Sequence, residues 1–180
     1  MTFTPQENIL IDNSGNAVLS DFGLLRILQD STSSSSYECG GTTRWMGPEL
    51  FNPEGFGLED ASPTKPSDCY ALGMTIYEVL SGRLPFFPYR TSIVMMRVLN
   101  GERPERLQGA GGVWFTDDVW EILERCWKPK PGDRPSIDYV LQQLEEASSF
   151  WAPPSPLMMV EGPQEADSSR ESVLTQESVD

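Results

Sequence analysis

Any chemistry in this chain is done without histidine. None of its 180 residues is one, which excludes Ser-His-Asp and Cys-His catalysis and histidine-ligated metals within the chain. The three cysteines, Cys39, Cys69 and Cys126, are far apart, odd in number and without a CxxC pair. They read as small buried thiols in a reducing compartment rather than as disulfides or a zinc cluster. Acids outnumber bases 27 to 13, a formal charge of −14. That excess argues against a nucleic-acid backbone or an anionic membrane surface as the main partner. No apolar run approaches the ~20 residues needed to span a bilayer, and Met-Thr-Phe-Thr-Pro-Gln-Glu has no signal-peptide pattern. The chain reads as soluble and cytoplasmic.

The elements that must position any site begin with a hairpin. Ile9-Leu10-Ile11-Asp12 and Asn16-Ala17-Val18-Leu19-Ser20 flank an Asn13-Ser14-Gly15 turn. Residues 30–43, with Ser31, Thr32, Ser33, Ser34, Ser35 and Ser36 in one run, have little to bury and predict a mobile loop. A second loop covers about 52–66, with three prolines and two glycines. Ser67 then opens a helix in which Tyr70, Ala71, Leu72, Met74, Ile76, Tyr77, Val79 and Leu80 cover every side. Such a helix belongs at the centre of a domain. Gly82 ends it, and Asp68 stands in its first turn, where the dipole favours an anion.

Three amphipathic helices are predicted after it. One runs from Thr91 to Asn100 and stops at Gly101. The next is capped by Thr116 and buries Val119, Ile122, Leu123, Cys126 and Trp127. The last starts near Ser136, with Ile137, Val140, Leu141 and Leu144 on one face. From residue 148 the chain turns acidic and rich in serine and proline, and 148–180 reads as a disordered tail. Leu157 to Val160 interrupts its polarity and is a candidate docking peptide or an incidental run.

The order of these pieces resembles the C-terminal lobe of a protein kinase. The match is carried by Asn8-Ile9-Leu10-Ile11-Asp12, Ser20-Asp21-Phe22-Gly23 and Gly41-Thr42-Thr43-Arg44-Trp45-Met46-Gly47-Pro48-Glu49. Ser67-Asp68-Cys69-Tyr70-Ala71-Leu72-Gly73 and Gly132-Asp133-Arg134-Pro135-Ser136 complete it. Five motifs in the family's order form a far more specific signal than Asp-Phe-Gly alone. The third looks most like serine/threonine kinases of the tyrosine-kinase-like group. The resemblance implies a protein kinase-like α+β fold. Residues 1–147 would be a mainly α-helical C-lobe with a short β-hairpin at its N-terminal end, the N-lobe being absent.

It also implies site roles. Asn8 and Asp21 would hold magnesium through hard oxygens, and with Leu10 on the adenine-pocket floor they would bind ATP. Read without the family, Asn8 caps a strand, Asp21 starts a turn and Leu10 is a core leucine. The segment from Asp21 to Glu49, including Thr42 and Trp45, would be the activation segment. Thr42 resembles the threonine that contacts the catalytic Asp and Lys. Glu49 and Arg134 correspond to a buried ion pair, and Asp68 to a helix aspartate that accepts hydrogen bonds from the catalytic-loop backbone. Ser31 to Ser36 fall where regulatory phosphorylation usually does, or form a merely solvated loop.

Departures from the pattern are as informative. Counting back from Asn8, Phe3 and Pro5 occupy the places of the catalytic Asp and the Lys, and Met1 and Thr2 those of the His and Arg before it. No catalytic residue is therefore assigned. The glycine-rich loop, the β3 Lys and its Glu partner are also missing, so the 180 residues alone are expected to be inactive. ATP and magnesium are expected only if an N-lobe is supplied. Similarity starting in mid-motif is the pattern expected of a truncated gene model, an alternative start or a decayed copy, the first being favoured. Gly47 replaces the family's usual Ala, a change expected to be tolerated. The function implied is phosphorylation of Ser/Thr on proteins, with protein substrates or signalling partners. The alternative is a non-catalytic, pseudokinase-like interaction module. Exposed apolar surface is expected around Leu10 and the hairpin, where an N-lobe would sit.

Overall fold

The computed structural model describes residues 9–20 and 43–149. Its first element is the expected hairpin, with β1 (Ile9–Ile11) antiparallel to β2 (Ala17–Leu19) and Ile9 paired with Leu19. Asp12 builds the turn. Its Oδ1 accepts from the Ser14 and Asn16 amides at 2.8 and 2.9 Å, and Gly15 takes φ +85°. These bonds hold the Asp12 carboxyl below its ordinary pKa, the Asn16 amide contributing most.

The rest of the described chain is helical: α1 (Pro48–Phe51), α2 (Lys65–Ser81), α3 (Thr91–Leu99), α4 (Asp117–Cys126) and α5 (Ile137–Ser148). α2 is the axis. It starts two residues before the expected Ser67, because Thr64 caps it in a reciprocal box. Ser67 Oγ accepts from the Thr64 amide at 2.7 Å, and Thr64 Oγ1 accepts from the Ser67 amide at 3.3 Å. Pro66, counted in the loop on sequence, sits in the first turn, where a missing N–H costs nothing. Gly82 ends the helix at φ +65° as predicted.

Burial of α2 is less complete than its composition suggests. Tyr70, Gly73, Met74, Tyr77 and Glu78 are buried, whereas Ala71, Leu72, Ile76 and Leu80 are half-buried and Val79 is exposed. α4 packs against α2 at Gly73, where a Cβ would stand 2.8 Å from Cys126 Cβ and from Trp127 Nε1. Around that contact Tyr77 stacks on Phe115 at 5.4 Å, and Trp120 and Trp127 meet edge-on at 5.7 Å.

The caps of α4 and α5 follow the sequence. Thr116 Oγ1 accepts from the Val119 amide and Ser136 Oγ from the Tyr139 amide. α4 buries the predicted Val119, Ile122, Leu123, Cys126 and Trp127. The buried side of α5 is rotated from the prediction. Val140 and Ala147 are buried and Leu144 half-buried, but Ile137 and Leu141 face outward. Among the described residues no helix is long and apolar enough to cross a membrane.

Candidate functional site

The best-determined part of the candidate site is the end of the segment that leads from residue 43 into α1. A 3-10 turn, Thr43–Trp45, is followed by Gly47 and α1, whose Pro48 and Glu49 are buried. Arg44 fastens this turn to the connection between α2 and α3, donating to the Pro85 carbonyl at 2.7 Å and the Tyr89 carbonyl at 2.5 Å.

Glu49 and Arg134, expected as a pair from the resemblance, do meet. Arg134 NH1 and NH2 donate to Glu49 Oε1 and Oε2 at 2.6 and 2.7 Å, with both side chains at most 1% exposed. Arg134 also donates to the carbonyls of Lys128 (2.9 Å), Pro66 (2.9 Å) and Pro129 (3.3 Å). A guanidinium has five N–H donors, and each has an acceptor here. Without those bonds the desolvation of two buried charges would exceed their attraction. Tyr70 lies beneath, its ring 5.0 Å from the Arg134 guanidinium and 5.3 Å from that of Arg103. Burial raises the Tyr70 pKa, so the ring stays neutral between two cations.

Gly47 matters to this pair. A Cβ there would stand 2.6 Å from Glu49 Oε2, an atom already held by Arg134.

Trp45, assigned to the substrate-facing segment, is 4% exposed. Its indole lies beside Glu78, a 1% exposed carboxyl on α2. Burial raises the Glu78 pKa from 4.5 to about 7, and the neighbouring Trp45 indole opposes that rise. Sequence reasoning missed Glu78. The available signal was a lone acid within the apolar run 70–80.

Asp68 does stand in the first turn of α2, at the surface, and partial desolvation raises its carboxyl pKa. Its expected partner, the catalytic-loop backbone, lies outside the described residues. Leu10 sits in the middle of β1 and is 55% exposed, so among the described residues it does not line an enclosed pocket. Asn8, Asp21, Thr42, Ser31 to Ser36, Cys39, Phe3, Pro5 and the tail from 150 onward lie outside the described residues. The structure thus joins Glu49 to Arg134 and adds Trp45 with Glu78.

Comparison with known proteins bears on the same residues. The family model described as protein tyrosine and serine/threonine kinase matches residues 5–144. Among curated relatives, serine/threonine-protein kinase fray2 of Dictyostelium discoideum is 32% identical over 135 residues, covering 75% of this chain and 12% of that protein. Receptor-interacting serine/threonine-protein kinase 3 of Rattus norvegicus is 31% identical over 141 residues, covering 72% of this chain and 27% of that protein. The chain spans between 8% and 27% of the lengths of the curated relatives compared.

Proposed function

The chain belongs to the protein tyrosine and serine/threonine kinase family, and from that premise we propose that it serves transfer of the γ-phosphoryl group of ATP to serine or threonine on protein substrates. The observation that supports this most directly is the hairpin register. Ile9 pairs with Leu19, so the chain enters and leaves the hairpin at one end. In sequence Asn8 is one residue and Asp21 two residues beyond that pair, an amide and a carboxylate flanking the two strands. Both are hard donors of the kind magnesium takes. They are the residues that would hold it, and the ion would neutralise charge on the phosphates of ATP.

The remaining roles fall to the chain itself. The segment ending at Glu49 positions the protein substrate, and Arg134 holds that end against the helical body. Trp45 and Glu78 fix the turn just before it. Leu10 supplies an apolar face to the adenine.

Phe3 and Pro5 favour a second reading, a non-catalytic interaction module. Neither side chain can accept a hydroxyl proton or hold a phosphate, so the 180 residues alone are expected to show only background transfer. The deciding experiment captures the endogenous protein through its 151–180 tail and measures magnesium-dependent ATP binding and phosphate transfer, with and without Asp21→Ala. Loss of both in the variant supports the kinase reading. No ATP binding by the folded wild-type protein leaves the module.

A further inference from the structure

We propose that the outer face of α3 is a docking surface for the chain's own tail, its occupant being Leu157-Met158-Met159-Val160. Neither has a part in the kinase reading, and the inference does not depend on it.

α3 is apolar on both sides. Val94 and Val98 are buried in the core. Ile93, Met96 and Leu99 follow at helical spacing on the opposite side and are exposed, Met96 at 55%. A surface helix ordinarily carries charged or polar residues there, and a contiguous apolar face marks an interaction site.

Charge selects the occupant. Residues 79–101 contain Arg83, Arg90 and Arg97 and no acid, in a chain where acids outnumber bases 27 to 13. Arg97 is engaged, paired with Glu102 and lying over the Tyr89 ring. Arg90 precedes the first turn of α3, is exposed, and has no carboxylate partner among the described residues. The tail is the complement. Its one apolar quartet, Leu157 to Val160, is followed by Glu161, Glu165 and Asp167, with no base before Arg170. The other outward apolar pair, Ile137 and Leu141, belongs to α5, which carries Asp138, Glu145 and Glu146 and no base. That face would repel the same segment.

Lengths agree as well. The stripe from Ile93 to Leu99 is about 9 Å long, and four extended residues span about 10 Å. Laid antiparallel to α3, with Leu157 over Leu99 and Val160 over Ile93, the quartet delivers Glu161 to Arg90 and to the positive end of the helix. The chain is long enough to do this. α5 runs beside α4, where Arg125 donates to the Tyr139 hydroxyl at 3.2 Å. The end of α4 is joined to the end of α3 by Arg103, which donates to the Trp127 carbonyl at 3.0 Å and the Val98 carbonyl at 3.3 Å. The eight residues from Ser149 to Leu157 extend to about 27 Å. That suffices to follow α4, about 15 Å long, and to cross one helix spacing of about 10 Å.

The test uses the full chain with the photoreactive amino acid benzoylphenylalanine in place of Met158. An equal mixture of isotope-labelled and unlabelled protein is irradiated and digested, and the cross-linked peptides are identified by mass. The expected links join position 158 to residues 91–103, with both peptides of each pair carrying the same isotope. Met96→Asp, at an exposed position that leaves the core untouched, is expected to abolish them. Arg90→Glu and Glu161→Arg are each expected to lower their yield about threefold, and together to restore it. Links confined to other elements, the face of Ile137 and Leu141 included, overturn the proposal, as does the absence of any link. Mixed-isotope pairs overturn it in favour of a second copy of the chain. A yield unchanged by Met96→Asp, or by both charge reversals made singly, overturns it too.

Discussion

The two ends of the described chain handle their side chains in opposite ways. Every N–H of the buried Arg134 guanidinium is matched, by one buried carboxylate and three backbone carbonyls. In the hairpin the apolar side chains are the unmatched ones, with Leu10 at 55%, Ile11 at 66% and Val18 at 47% exposure. A charged pair can be buried only when its whole hydrogen-bonding capacity is met, so the first region is closed. A two-stranded ribbon with an apolar face is marginal in water and gains stability from whatever covers it. The first region is a finished joint, and the second leaves apolar side chains exposed.

The sharpest way to break this contrast is at Arg134. Arg134→Ala strands the Glu49 carboxylate in the core and is expected to cost about 3–5 kcal/mol in urea unfolding. The paired change Glu49→Leu with Arg134→Met should cost much less, because it leaves no orphaned charge. Equal losses for the single and double variants would show that packing, not charge pairing, holds this joint.

Next in size is Gly73→Ala. The added methyl meets Cys126 and Trp127 at 2.8 Å, and α4 has to move away. Overpacking of this kind costs about 1–3 kcal/mol, read as a lowered Tm. Gly47→Ala should act in the same direction by pressing on the Glu49 carboxylate, with the effect absent in the Arg134→Met/Glu49→Leu background.

A smaller effect is expected from Glu78. Its folded pKa is raised, so between its ordinary value of 4.5 and about 7 the unfolded state binds fewer protons than the native one. Stability attributable to this group is therefore greatest below 4.5, falls as pH rises through that window and stays low above it. Glu78→Gln should flatten that slope. An unchanged slope would mean that the carboxyl is not held protonated by its buried site.

The smallest change in stability should come from the hairpin. Leu10→Ser with Ile11→Ser removes exposed apolar surface and should shift unfolding of the helical body by no more than about 0.5 kcal/mol. Self-association measured by sedimentation should fall. A loss as large as that of Arg134→Ala would show that the hairpin is part of the same core.

Local signals in the sequence translated directly into structure. Thr116, Ser136, Gly82 and the Asn13-Ser14-Gly15 turn lie where they were expected, because a cap or a turn depends only on residues a few positions away. Expectations failed at Pro66, at Ile137 with Leu141 and in the all-round burial of α2, for a common reason. Pro66 was counted as loop, and Ile137 with Leu141 as buried face. A proline in the first turn and a half-exposed apolar stripe both depend on which neighbours arrive, and local spacing does not contain that. The Glu49–Arg134 pair was legible only through resemblance, since no rule of spacing joins positions 85 residues apart. Glu78 had a weak signal that acquired meaning only when Trp45 came to rest against it.

The sequence by itself determined the order of elements, the caps, the exclusion of histidine chemistry and the family motifs, all of which are properties of residue type and short spacing. Only the tertiary structure decided which charges are buried and paired, which thiols are buried, and which apolar residues remain outside. Those outcomes depend on how closely helices approach. Here the missing side chain at Gly73 leaves room for Cys126 and Trp127 against α2.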